Sequence, residues 1–123
     1  MSVIETATVP LAQQQADALL NVMDACSIEK AVAFATFSNF LGPGDEEPNQ
    51  ALAKRIRNED RLKGFGVIDF SREDLEDQVE AIYQLGFPGI KLHPAFQHFR
   101  IDEEKAFRVY AAAQKRDLFL TFH

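Results

Sequence analysis

The chain has 123 residues, 46% of them apolar and 26% charged, the make-up of one soluble globular domain rather than two. With 13 basic against 19 acidic side chains the formal charge is -6, which opposes approach to a nucleic-acid backbone. No run approaches the ~20 apolar residues of a membrane span, and Met1 to Thr8 lack the basic start and apolar core of a signal peptide, so the expected setting is the cytoplasm.

Cys26 is the single cysteine, so an internal disulfide is ruled out, and the residue is expected to be a small buried apolar side chain. The first helix is predicted over Pro10 to Ala25, because proline suits an opening turn and Ala12, Ala16, Leu19, Leu20 and Met23 share one face. Ala31 to Thr36 follows as a nearly continuous apolar run, the pattern of a strand covered on both faces. Phe37 to Glu47, with Gly42-Pro43-Gly44 and three successive acids, reads as a long loop at that strand's carboxyl end.

Pro48 opens a second helix, with Leu52 and Ile56 facing inward, that stops near Asn58. Its basic run Lys54-Arg55-Ile56-Arg57 reads as a solvated helix end. Gly64 to Ile68 is the second strand, in which Gly64 and Gly66 suggest close backbone approach. Ser71-Arg72-Glu73-Asp74 resembles a capping box for a third helix whose stripe is Leu75, Val79, Ile82 and Leu85, with Gly86 as its left-handed terminator. Gly89 to Leu92 is the third strand. The fourth helix takes Asp102 as cap and turns Ala106, Val109, Tyr110 and Ala113 inward, and Leu118 to His123 is the fourth strand.

Strand starts recur at roughly crossover-unit spacing, about 25 to 33 residues, which favours a parallel sheet with right-handed connections. Two α/β architectures satisfy this: a doubly wound open sheet, or part of an eight-stranded barrel. Neither a glycine-rich phosphate loop nor a nucleophile elbow follows any strand.

Alternation along the third strand puts Ile90 and Leu92 on one face and Lys91 and His93 on the other. A lysine and a histidine together on a buried strand need a polar destination, which the mouth of a barrel supplies. In the fourth strand Phe119, Thr121 and His123 share a face, leaving Leu118, Leu120 and Phe122 toward the helices. An imidazole at a strand rim suits a metal ligand and equally an ordinary polar side chain. His93 also suits a loop cap, Lys91 an anion contact or a charge reaching the rim over packed methylenes, His98 a solvated or substrate loop, and Asp69 a helix entry.

Three segments, Asp60-Arg61-Leu62-Lys63-Gly64-Phe65-Gly66-Val67-Ile68-Asp69, Gly86-Phe87-Pro88-Gly89-Ile90-Lys91-Leu92-His93-Pro94 and Phe119-Leu120-Thr121-Phe122-His123, resemble the metal-dependent amidohydrolases of the TIM-barrel type in order and spacing. The match is to the amidohydrolase-related group that also includes decarboxylases of aromatic and semialdehyde acids. The resemblance implies a partial (β/α)8 TIM barrel, about four sequential parallel strands alternating with helices, with residues 1–123 forming a single incomplete barrel domain equivalent to strands two to five of eight. It implies a divalent ion, zinc by expectation, bound by His123, with Lys91 and His93 on the fourth-strand motif, where some relatives carry a carboxylated lysine.

No paired His-x-His ligands precede His93, so the resemblance is to an internal portion of a barrel, inactive alone. The function implied is metal-assisted hydrolysis, or decarboxylation, of a small-molecule substrate bearing a carboxyl or carbonyl group. A non-catalytic open-sheet α/β binding module is the alternative. Open strand edges predict a homo-oligomer or looser association between chains.

Overall fold

A computed structural model of the protein describes residues 2–4 and 13–123, with side chains from residue 16 onward. In chain order the elements are β1 (Ser2–Ile4), α1 (Gln13–Ala25), β2 (Lys30–Phe34), α2 (Pro48–Ile56), β3 (Leu62–Gly66), α3 (Leu75–Gln84), β4 (Gly89–Leu92), α4 (Pro94–Gln97), α5 (Glu104–Lys115) and β5 (Phe119–Phe122). The five strands form one sheet in the order β1-β2-β3-β4-β5, every neighbouring pair parallel.

Sequential order without reversal excludes, among the described residues, the doubly wound sheet, whose strand order turns back at a switch point. It is the order of a barrel segment, and there are five strands rather than the four expected. The extra one, β1, pairs Ser2 with Lys30 and is too short to show periodicity. The predicted helix opening at Pro10, and Ala12 with it, lies outside the described residues.

Both faces of the sheet can be read from its contacts. A methyl group built on Gly64 would meet the Phe87 ring at 2.7 Å and Ile56 at 3.0 Å, and one on Gly66 would meet Ile82 at 2.7 Å, so these residues face α2 and α3 and let the helices press onto the strand. Ala33 pairs with Gly64, and Gly66 with Ile90, on that same side. Ile90, Leu92, Ile82, Val79, Val109 and Ala106 are fully buried there and form the core between sheet and helices.

On the opposite side lie Phe34 and Phe65, with ring centroids 5.8 Å apart, and Lys91, whose Nζ sits 4.9 Å from the Phe34 centroid. Gly89 also faces this side. A Cβ there would strike the Phe65 ring at 2.7 Å and the Phe119 carbonyl oxygen at 2.8 Å, so only glycine lets β3 and β5 flank β4 this closely.

Three local expectations are corrected. Cys26 is exposed, because α1 ends at Ala25 and the chain turns outward through Ser27 at φ 58°. Ser71 does not cap α3. Its hydroxyl donates to Asp69 Oδ1 at 2.6 Å and its amide to the same oxygen at 3.0 Å, an entry turn that delays the helix to Leu75, while Asp74 pairs with Arg72. Asp102 does not cap α5 either, because Arg100 holds it through Nε at 3.0 Å and Nη2 at 2.9 Å, and Glu103 takes the cap position. Gly86, at φ +82°, ends α3 as expected.

Candidate functional site at the carboxyl end of the sheet

The carboxyl ends of β2 to β5 carry the polar side chains that a buried sheet otherwise excludes. Lys91 is 6% exposed and His93 8% exposed, and no carboxylate pairs with Lys91 among the described residues. Burial holds the Lys91 ammonium below its ordinary range. His93 is likewise lowered, first by burial and then by the neighbouring charges of His123 and Lys91. Thr36, 1% exposed and two residues past β2, has an Oγ1 with no hydrogen-bond partner among the described residues.

His93 is the first residue past β4 and the N-cap of α4, so the loop-cap reading holds for its main chain and side chain alike. Its Nδ1 accepts from the Phe96 amide at 3.3 Å, and its own amide donates to Gln97 Oε1 at 2.7 Å. Gln97 Nε2 in turn donates to the Ile68 carbonyl at 2.8 Å, tying the mouth of β4 to that of β3.

His123 extends β5 by one residue, its amide donating to the Leu92 carbonyl at 3.0 Å. That register brings its imidazole onto His93, with centroids 4.0 Å apart and planes 13° apart. Phe96 stacks on the other face of His93 at 4.2 Å, Phe37 meets it edge-on at 5.9 Å, and Phe40 stands edge-on to Phe96 at 5.6 Å. Five rings from four segments thus form one column, and it is this column that unites His93 and His123.

Lys91 lies on the same face as His93 but reaches toward Phe34. His98 is not one of the stacked rings. It is exposed, adopts the left-handed φ of 55° that ends α4, and lines a cavity of about 280 Å³ with Asn39, Asp69, Ser71 and the Phe96 of the column.

Asn49, Gln97, Phe96 and Thr36 were not singled out in the sequence. Asn49 Nδ2 donates to the Val67 carbonyl at 3.0 Å and its Oδ1 accepts from the Val67 amide at 2.8 Å, fixing the end of β3 from α2. A signal existed, since a polar residue in register with Leu52 and Ile56 interrupts an apolar stripe.

Among the described residues no three histidine, cysteine or acidic side chains gather closely enough to hold a metal ion. A catalytic zinc takes three protein ligands and a water. The two stacked imidazoles are therefore not a metal centre by themselves; the exposed His123 ring has the donor chemistry of one ligand.

A sequential parallel sheet backed by helices, with its polar side chains at the carboxyl ends of the strands, defines a partial TIM barrel. The model of the family described as amidohydrolase matches residues 6–123, and the chain belongs to that family. The fold is similar to that of a mutant 5-carboxyvanillate decarboxylase from Novosphingobium aromaticivorans, solved with manganese and 3-methoxy-4-hydroxy-5-nitrobenzoic acid. The TM-score is 0.69 at 25% identity, over 86% of this chain and 34% of that one.

An amidohydrolase structure from Staphylococcus aureus is similar in fold, with a TM-score of 0.72 at 18% identity over 100% of this chain and 47% of that one. A 24-residue stretch is 96% identical to the oligopeptide transport ATP-binding protein OppD of Escherichia coli strain K12, which is 20% of this chain and 7% of that protein. The chain thus spans less than half of each of these proteins. No helix among the described residues is long and apolar enough to cross a membrane.

Proposed function

We propose that this chain forms one flank of the active site of a metal-dependent hydrolase, with decarboxylation as the second reaction open to the same site. His123 supplies one ligand to a divalent ion, and Lys91 and His93 contact the substrate. The observation that carries this reading is the meeting of Lys91, His93 and His123 at one strand-end mouth in a chain of the amidohydrolase family. When bound, such an ion polarises a carbonyl or carboxyl oxygen and lowers the pKa of water.

What this chain contributes is binding and orientation. The ammonium of Lys91 is a donor for a carboxyl or carbonyl oxygen, and the aromatic surface of Phe34 and Phe65 gives the substrate an apolar bed. Imidazole ligation suits zinc, and the decarboxylase relative holds manganese, so both ions belong in the test. The proposed setting is the cytoplasm, and the proposed association is between copies of the chain through open strand edges.

Metal content of the full-length protein, measured after dialysis against Zn²⁺ and against Mn²⁺ with and without His123→Ala, tests the reading. Loss of most bound metal in the variant is expected. Undiminished binding would sink the assignment of His123. Release of carbon dioxide from carboxylated substrates, scored against release of an amine or alcohol, separates decarboxylation from hydrolysis.

A further inference from the structure

We infer that His93 acts on the substrate as a hydrogen-bond donor through Nε2–H, and is neither a metal ligand nor a base. The inference rests on the reading that this mouth binds substrate, and it follows from which ring nitrogen is already engaged.

Nδ1 of His93 faces the Phe96 amide at 3.3 Å, and an amide can only donate. A proton on Nδ1 would set two N–H groups against each other. The ring proton therefore sits on Nε2, and a protonated Nε2 has no lone pair to give to an ion or a proton. A nitrogen at this position can still polarise a carbonyl oxygen or hold a carboxylate.

Ring rotation would undo this assignment, and the surroundings oppose rotation. Phe96 covers one face of His93 at 4.2 Å and His123 the other at 4.0 Å, while the edge of the ring meets Phe37. Below the ring, the His93 amide is tied to Gln97 Oε1 at 2.7 Å, and Gln97 to the Ile68 carbonyl at 2.8 Å. Turning the imidazole over would leave the Phe96 amide facing carbon.

Nε2–H makes no hydrogen bond among the described residues, although His93 is 8% exposed. Two residues back on the same strand face, Lys91 is a second donor and is likewise unpaired with any described carboxylate. Two donors on one strand face with no acidic partner suit a substrate that carries carboxylate or carbonyl oxygens, one of which gains charge as it reacts. His93 and His123, stacked together, then divide the work: His93 donates to the substrate and His123 serves as the ligand.

The test is long-range proton–nitrogen NMR on the protein labelled with ¹⁵N-histidine, recorded before and after addition of Zn²⁺. The expected result is a pyrrole-type, protonated Nε2 and a pyridine-type Nδ1 for His93, both kept when zinc is added. A pyridine-type Nε2, or loss of its proton on adding zinc, overturns the inference. Persistence of Nε2–H with no response at His123 leaves this inference standing while removing the metal reading. A Phe96→Leu variant, which keeps the amide and removes one stacked face, is expected to keep the same tautomer.

Discussion

His93 and His123 stack with ring centroids 4.0 Å apart although they stand at the ends of different strands. The contact exists because Leu92 pairs with Phe122 in the parallel register of β4 and β5, and the next residue of each strand turns its ring to the same side. Only one of the two rings is committed by its surroundings, His93 to the Phe96 amide.

That difference predicts unequal tolerance. Removal of a single preorganised donor costs about 10² to 10³ in kcat, and His93→Leu in the full-length enzyme is expected to fall in that range with KM changed less. His93→Gln returns an N–H near the Nε2 position and is expected to recover part of the loss, whereas His93→Asn, with its amide near Nδ1, is not. Steady-state kinetics on the three variants checks this, and equal losses in all three would contradict a donor role.

As a substrate contact, Lys91 would set activity against stability. Burial lowers its folded value below the ordinary 10.5, so the unfolded chain binds the proton more readily than the folded one. Its contribution therefore penalises folding at neutral pH and fades as pH rises through the folded value toward 10.5, where both states become neutral. Lys91→Met is expected to raise the urea midpoint at pH 7, to lose this advantage near pH 10, and to abolish substrate binding. A less stable variant at pH 7 would show that the contact with Phe34 outweighs the burial.

Asn49 is expected to matter for stability more than its place on a surface helix suggests. Asn49→Ala strands both the amide and the carbonyl of Val67, which is 4% exposed. Each orphaned buried group costs about 1 to 3 kcal/mol, so a loss of at least ~2 kcal/mol in urea unfolding is expected. A change smaller than ~0.5 kcal/mol would mean that water reaches the end of β3.

The β5 edge predicts association. Phe119 is 69% exposed and Phe122 45%, and Phe122 lines an apolar cavity with Ile101 and Tyr110. An exposed apolar edge strand is a template for pairing. Sedimentation is expected to show self-association of the chain that Phe119→Lys reduces, and a clean monomer would count against it.

Much of the scaffold was legible in the residues themselves. Apolar runs marked β2 to β5, helical stripes marked α1, α2, α3 and α5, and strand alternation assigned Lys91 and His93 to one face and Gly64 and Gly66 to close approach, because each of these follows from the local period of the backbone. The boundaries moved by a residue or two, as with β3 at Leu62–Gly66, since hydrogen bonding and not apolarity defines a strand end.

Other features belonged to the tertiary structure. The three residues of β1 and the four of α4 are too short to show a period, and Ser71 and Asp102 kept their cap-forming types but were taken by Asp69 and Arg100. Asn49 on Val67, Gln97 on Ile68 and the stacking of His123 on His93 join residues far apart in the chain. Residue type states what such a side chain can do; the register of parallel strands decides which distant partner is within reach, as it does in bringing His123 onto His93.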